Sequence, residues 1–190
     1  MTKITKVLTA GILACGLSCN SFAAPILSFN NQAAPLEQNY QLGDNIALEL
    51  WISGLDSADL GGFDIGLVFD QAVSPFSSLL FSDDWFDFDE SLSGTGTLNL
   101  ASLSSQFDLS SQEDSLLLAT LNFNASSIGT SILAFSDVLL SDGQGFELSA
   151  QNFAATLNIS DIPDGNQIPE PGSVALLLFA VLAMRLNRQK

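Results

Sequence analysis

Apolar and polar side chains alternate along much of the middle of this chain, and that alternation is the strongest constraint on its fold. The even positions of 46–52 are all apolar, as are the odd positions of 63–69. The same alternation recurs over 117–124 and 153–160. Because successive side chains of a strand point to opposite faces of a sheet, each segment predicts a strand with one face in a core and the other in water.

Turn signals rich in glycine, asparagine and aspartate separate these segments, at 42–45, 61–62, 93–96, 128–130 and 142–145. Further strands are predicted at 26–29, 79–81, 97–103 and 131–140. No part of the middle has a helical period, and the stretch 83–91 fits neither pattern. We therefore predict one all-β domain over residues 24–160, built as an antiparallel sandwich.

Positive charge is confined to the two ends of the chain. The five basic residues are Lys3, Lys6, Arg185, Arg188 and Lys190. All 21 acidic residues lie between Glu37 and Glu170. A body without positive side chains repels phosphate backbones, so we expect no nucleic-acid partner, and it attracts divalent cations or basic partners. Its stability must come from apolar burial and backbone hydrogen bonds.

The residue types needed for most enzyme chemistry are missing from the body. The chain has no histidine, and both cysteines, Cys15 and Cys19, precede residue 24. This excludes Ser-His triads, thiol nucleophiles, Schiff-base lysines and His/Cys zinc sites there. Paired carboxylates of the glycosidase type remain, but no pair stands out. We therefore expect a protein that is not an enzyme and has no cofactor, apart from a possible Ca²⁺ ion.

The first 23 residues have the organisation of a secretory signal peptide. Lys3 and Lys6 precede a short apolar stretch at 7–17, and Ser21 and Ala23 supply small side chains before a cleavage site. We predict that signal peptidase cuts after Ala23. One alternative is a permanent N-terminal helix, for which the apolar stretch is short. Another is lipidation of the first cysteine, although a bulky leucine stands two residues before it.

The last 23 residues, 168–190, combine a rigid turn, a short apolar run and a basic end. The turn consists of Pro169, Glu170 and Pro171. The apolar run from 172 to 184 has 13 residues, fewer than the roughly 20 that normally span a bilayer. Arg185, Arg188 and Lys190 would stop transfer and stay on the cytoplasmic side. Residues 161–167 form the predicted linker to the body.

This C-terminal combination resembles the PEP-CTERM sorting signal of Gram-negative bacteria that make extracellular polysaccharide. The resemblance implies cleavage near the tripeptide by an exosortase, a membrane-embedded cysteine peptidase. It also implies transient insertion of the short hydrophobic helix into the inner membrane. The mature protein would then be at the cell surface or secreted. The alternative is a plain tail anchor.

The order of the strand motifs resembles that of cohesin domains. The similar segments are 43–44, 48–55, 62–70, 117–125, 128–131 and 137–143. The resemblance implies a jelly-roll sandwich of about nine strands, a fold shared with several carbohydrate-binding modules. We expect a non-catalytic role in adhesion, biofilm or matrix association, or envelope scaffolding, with a polysaccharide or protein partner at the surface. The alternative is a carbohydrate-binding module for extracellular polysaccharide, and a glycoside-acting enzyme is the least favoured.

The most unusual internal segment is 81–90, where acidic and aromatic residues are mixed. Trp85, Phe86 and Phe88 could stack on a sugar ring or a partner. The carboxylates of this segment suit Ca²⁺, a hard ion that prefers oxygen ligands; they are Asp83, Asp84, Asp87, Asp89 and Glu90. The EF-hand spacing fails, because Leu92 stands where that loop needs glycine. The alternative is a solvated loop whose Phe side chains tuck into the sandwich edge.

Trp51 is the other aromatic candidate for a ligand contact. It lies on the polar side of the alternation at 46–52, two residues after Glu49. That position makes it either an exposed stacking platform or a ring that packs against a neighbouring strand or loop.

Overall fold

The computed structural model describes residues 24–161 apart from 57, 87, 88 and 94, and for 89–93 it describes the backbone only. The predicted signal peptide with its cleavage site at Ala23, the linker after Asp161, and the sorting segment 168–190 lie outside the described residues. Within the described part, no helix combines the length and apolar character needed to cross a membrane.

The described residues form twelve strands and one short 3-10 helix, Leu109–Ser111. The first six strands are β1 (Ile26–Phe29), β2 (Leu36–Gln41), β3 (Asn45–Ser53), β4 (Gly62–Val68), β5 (Phe76–Phe81) and β6 (Asp89–Ser93). The other six are β7 (Thr97–Leu103), β8 (Ser115–Asn124), β9 (Gly129–Ser141), β10 (Glu147–Leu148), β11 (Gln151–Asn152) and β12 (Ala155–Ser160).

These strands form two sheets that enclose one core. The five-stranded sheet has the spatial order β11-β1-β3-β8-β5. The seven-stranded sheet has the order β2-β12-β9-β4-β7-β6, with β10 pairing with β9 off that path. Most neighbours are antiparallel, but β1 with β11 and β2 with β12 are parallel pairs. The prediction of an all-β sandwich is confirmed, and the parallel pairs and the strands beyond nine were not predicted.

The core lies between the inner faces of the two sheets, and the alternation of the sequence accounts for it. Leu48, Leu50 and Ile52 on β3 are fully buried, as are Ile65 and Leu67 on β4. Their neighbours along each strand are at outward positions, and one of these positions, on β4, is a glycine without a side chain. Burial of these aliphatic side chains is the main source of stability in a body that has no ion pairs to Lys or Arg.

Aromatic rings fill the space between the aliphatic layers. Phe29 stacks on Phe135 with ring centroids 5.4 Å apart, which joins β1 to β9 across the sandwich. Phe123 of β8 meets Phe69 edge to face at 5.2 Å, just after the end of β4. These contacts between elements of opposite sheets fix the spacing of the sheets, and therefore the shape of their outer faces.

Candidate binding surface

Trp85 lies in the core, so the prediction that it contacts a ligand is wrong. Its side chain is 5% exposed, and its ring meets Phe63 edge to face at 5.0 Å. Its Nε1 donates a hydrogen bond of 3.0 Å to the carbonyl oxygen of Leu117, and its backbone forms a bridge with Ser104. The ring gains more from burial with a satisfied N–H than it would gain in water.

The rest of the acidic and aromatic segment is divided between an exposed turn and an edge strand. Phe86 is 48% exposed, and its backbone N–H donates to the carbonyl oxygen of Leu103 at 3.0 Å. Phe88 and Asp87 lie outside the described residues, and only the backbone of β6 is described at Asp89 and Glu90. The alternative of a solvated loop is wrong for Asp89 and Glu90, because strand β6 begins there and pairs with β7.

The calcium prediction concerns the same segment. Asp83 is exposed, whereas Asp84 is half-buried and its Oδ1 accepts a 2.8 Å hydrogen bond from Gln106 Nε2. Among the side chains that the structure describes, no three acidic, histidine or cysteine residues come together as a metal site. Three of the five proposed ligands are not among those side chains, so calcium binding here stays a prediction.

A depression of about 570 Å³ lies on the outer face of the seven-stranded sheet, where β9, β4 and β7 run side by side. We call it the β4 depression, and its lining is Asp64, Gly66, Asn99, Ala101, Asp137, Val138 and Leu139. The strand register places Gly66 opposite Asn99 on one side and opposite Asp137 on the other. The depression therefore has a floor without a side chain between two polar walls.

The floor of the depression is recessed because Gly66 has no side chain. A Cβ atom at this position would lie 2.5 Å from the Ser136 Oγ and 3.3 Å from both the Asn99 Oδ1 and the Asp137 backbone nitrogen. The pairing of β4 with β9 shifts register between Gly66 and Leu67, and a larger residue here would require the Ser136 hydroxyl to move.

Exposed aliphatic side chains adjoin the β4 depression. Leu139 of β9 is 55% exposed and lies opposite Asp64, while Leu103 of β7 is 53% exposed. A Cβ atom at Gly62 would lie 2.6 Å from Leu103 Cδ2, so this leucine leans across the face towards β9. The face thus combines apolar side chains with the carboxylates of Asp64 and Asp137. No Lys, Arg or His occurs among residues 24–161 to neutralise them.

Trp51 lies on the outer face of the opposite, five-stranded sheet. Its side chain is half-buried, which is intermediate between the two alternatives that the sequence allowed, an exposed platform and a packed ring. Its Nε1 donates a 2.9 Å hydrogen bond to the Glu49 Oε2, two residues earlier on the same face. This bond fixes the indole along β3 and leaves it lining a second depression.

Sequence reasoning did not single out the lining of the β4 depression. Most of its residues are ordinary polar or small side chains on predicted strands, beside Val138 and Leu139 of β9. Asp64 and Gly66 did fall on the outward side of the alternation at 63–69. A glycine at such a position is the one signal that could have marked a recessed face.

The comparisons with known proteins support the architecture. No family model matches the sequence. No curated protein matches it either. Solved structures do match: a non-cellulosomal cohesin from Archaeoglobus fulgidus aligns with a TM-score of 0.58 and 14% identity, covering 78% of this chain and 100% of that one.

Two bacterial structures agree with this match. The seventh ScaB type I cohesin of Pseudobacteroides cellulosolvens has a TM-score of 0.59 and 13% identity, covering 76% of this chain and 97% of that one. A type I cohesin–dockerin complex from Clostridium thermocellum has a TM-score of 0.60 and 11% identity, covering 73% and 100%. The body of this chain therefore has the fold of the cohesin modules, a class of β-sandwich.

Proposed function

We propose that this chain is an exported, non-catalytic binding module that holds a protein partner on the outer face formed by β9, β4 and β7. The observation that carries the proposal is the β4 depression, in which a glycine floor lies between Asn99 and Asp137, with Asp64 beside it and exposed leucines adjoining it. The fold adds support, because similar cohesins are known in complexes with dockerins.

The chemistry of this face defines the partner. Leu139 and Leu103 offer apolar contact area, and area of this kind at the centre of an interface supplies most of the affinity. Asp64 and Asp137 supply negative charge that nothing in the described residues neutralises. A partner segment with aliphatic side chains flanked by lysine or arginine complements both features, and its charge speeds association at low salt.

A site-specific crosslinking experiment tests this surface. A photoreactive phenylalanine analogue replaces Leu139 in the full-length protein, expressed in its native host. We expect a discrete crosslinked adduct whose partner peptide contains basic residues. An Ala101→Lys substitution, which places a like charge against that partner, should abolish the adduct. Thr120, on the outer face of the opposite sheet, provides the matched control as Thr120→Lys.

Two results would contradict this assignment. One is an adduct that survives Ala101→Lys unchanged. The other is an adduct that forms equally well from the analogue placed at Leu80, an exposed residue of the opposite sheet.

The proposal includes the route by which the module reaches the cell surface. The basic and apolar N-terminus with Ala23 at its end supports cleavage by signal peptidase. Pro169, Glu170 and Pro171, followed by an apolar run and Arg185, support transient inner-membrane insertion and exosortase processing. The product would be a surface or extracellular-matrix protein of a bacterium that makes polysaccharide, with a role in adhesion or biofilm formation.

Mass spectrometry of the mature protein tests this route separately. In the wild-type host we expect an N-terminus at Ala24 and a C-terminus near the Pro169–Pro171 tripeptide. In a host without the sorting peptidase, the C-terminal segment should be retained. A wild-type protein that still ends at Lys190 would refute exosortase cleavage while leaving the proposed binding face intact.

A further inference from the structure

A second depression, of about 610 Å³, lies at one end of the outer face of the five-stranded sheet. We call it the Trp51 depression, and its lining is Trp51, Asp84, Gln106, Asp108, Ser111, Gln112, Glu113, Ser115, Leu116 and Leu117. Its volume falls within the range of about 300–1,000 Å³ that is typical of small-molecule sites. It is built from β3, β8, the loop that connects β7 to β8, and Asp84 after β5, so it is separate from the β4 depression.

One aromatic ring and a set of polar groups face each other across this depression. The indole of Trp51 is held along β3 by its hydrogen bond to Glu49. Most of the polar lining comes from the loop 104–114, which contributes two amides and two carboxylates, and Asp84 adds a third carboxylate. A flat apolar ring beside groups that accept hydrogen bonds suits a ligand that is apolar on one face and rich in hydroxyls at its edge.

The polar side is held in place before any ligand arrives. The Gln112 Oε1 accepts from the Leu60 backbone nitrogen at 2.8 Å, and its Nε2 donates to the Leu60 carbonyl oxygen at 2.9 Å. The Gln106 Nε2 donates a hydrogen bond to the Asp84 Oδ1. Because these side chains already have partners that orient them, little conformational entropy is lost when a ligand binds.

The charge of the depression decides which ligands it can accept. Asp108 accepts hydrogen bonds from the Ser110 Oγ at 2.7 Å and the Ser110 backbone nitrogen at 3.1 Å, which lower the pKa of its carboxyl group. It therefore remains ionised near neutral pH. No basic side chain occurs among residues 24–161, so carboxylate, sulfate or phosphate groups on a ligand would be repelled.

We propose that the Trp51 depression binds one unit of a neutral polysaccharide. The sugar ring stacks its C–H face on the Trp51 indole, and its hydroxyl groups donate hydrogen bonds to the carboxylates of Asp84 and Glu113. Carboxylates are strong acceptors for such donors. Glu113 is an exposed residue of the lining, so its carboxylate is free to accept from the edge of the sugar. Binding needs no metal ion and is independent of the partner face on the other sheet.

An oligosaccharide array and a fluorescence titration test the proposal on the full-length protein. The array holds neutral gluco-, manno-, galacto- and chito-oligosaccharides beside oligouronates and sulfated oligosaccharides. We expect binding to at least one neutral series, none to the charged series, and no change with EDTA. Trp51 is the tryptophan in contact with the depression and Trp85 is buried, so the fluorescence change on titration should vanish in Trp51→Tyr.

Substitutions separate binding from folding. Trp51→Ala should weaken affinity by about tenfold, as expected for one lost aromatic contact, and Trp51→Tyr by less. Glu113→Ala changes an exposed side chain, so it should leave the fold intact and also weaken binding. Ala101→Lys, in the β4 depression, should leave saccharide binding unchanged.

Three results would overturn this proposal. They are silence of the whole neutral series, binding that prefers the charged series, and a Trp51→Ala variant with wild-type circular dichroism and wild-type affinity. None of them bears on the protein-partner face, which the crosslinking experiment tests by itself.

Discussion

The two tryptophans show how the partner of the indole N–H differs between a core ring and a surface ring. Trp85 donates to a backbone carbonyl inside the sandwich, at Leu117, and its ring is covered on all sides. Trp51 donates to Glu49, a side chain on the outer surface, so its ring stays near water. The same residue type therefore fills the core at one end of the sandwich and lines a depression on its outside.

Replacing Trp85 by alanine should cost about 3–5 kcal/mol of unfolding free energy, the usual range for deletion of a large buried aromatic ring. Urea unfolding monitored by circular dichroism measures this loss. The adjacent Phe86→Ala change is the matched control, and it should cost less than about 1 kcal/mol because Phe86 is half exposed. Equal losses for the two variants would contradict the core position of Trp85.

Tyr40 should make the unfolding free energy of the chain fall at alkaline pH. Burial, and then the nearby carboxylate of Asp44, raise the pKa of its phenol above the ordinary 10.0. Below pH 10.0 the phenol is neutral in the folded and unfolded states. Above it the unfolded state ionises first, so the contribution of Tyr40 to stability is lost as the pH rises through the folded-state pKa.

The measurement is straightforward because Tyr40 is the only tyrosine of the chain. Ultraviolet titration of the native protein should show tyrosinate forming above pH 10.0, and urea should return the titration to the ordinary value. In Tyr40→Phe the alkaline loss of unfolding free energy should be smaller. A native titration midpoint at or below 10.0 would refute the burial of this phenol.

At the scale of elements, the side-chain amide of Gln112 ties the loop 104–114 to the residues before β4. Gln112 forms both of its hydrogen bonds with the backbone of Leu60, which precedes β4. Gln112→Glu keeps the shape but loses the donor and places a carboxylate against the Leu60 carbonyl oxygen. We expect the Leu60 amide to exchange with solvent at least about tenfold faster in Gln112→Glu, since opening of the loop becomes easier.

Hydrogen exchange followed by mass spectrometry measures this change, and peptides from β12 serve as the internal reference. Ser111→Ala is the matched control in the same loop, because Ser111 is exposed and adjacent to Gln112. Unchanged exchange in Gln112→Glu would show that other contacts hold the loop.

The sequence predicted the strands that bury one face and missed those that do not. Strands β1 and β7 have the predicted bounds, because their inward side chains are apolar. Strand β2 buries only Leu36 completely and is otherwise polar, since it lies at a sheet edge. Strands β10 and β11 have two residues each, too few for any alternation.

The binding surfaces were harder to predict than the core for a physical reason. An inward position must be apolar, so the sequence shows it, whereas an outward position tolerates many residue types whether or not it binds anything. The sequence marks Trp51 as a candidate because a large ring at an outward position is unusual. It does not mark Gly66, Asn99 and Asp137, because they come together only through the register of three strands.

At the scale of the whole molecule, the large excess of negative charge controls solubility. The formal net charge is −16 at pH 7, and the sequence pI is about 4.1. Repulsion between molecules disappears as the carboxylates are protonated, so the exposed aliphatic side chains can then associate. We expect light scattering by the purified protein to rise steeply as the pH is lowered towards 4.1, and to reverse on return to pH 7.

Salt should act in the same direction at neutral pH, because counterions screen the repulsion. Leu139→Ser removes an exposed aliphatic side chain from the partner face and should reduce the scattering near the pI. Scattering that does not change between pH 7 and pH 4.1 would contradict the role given to net charge.

The place of β12 in its sheet has a mechanical consequence. This last described strand is not at an edge, because it forms hydrogen bonds with β9 on one side and β2 on the other. A pulling force applied at Asp161 along the strand would stretch both rows of bonds together in shear instead of peeling them one by one. A sandwich tethered through its C-terminal end would therefore resist tension, and the two depressions on its outer faces would keep their shape under load.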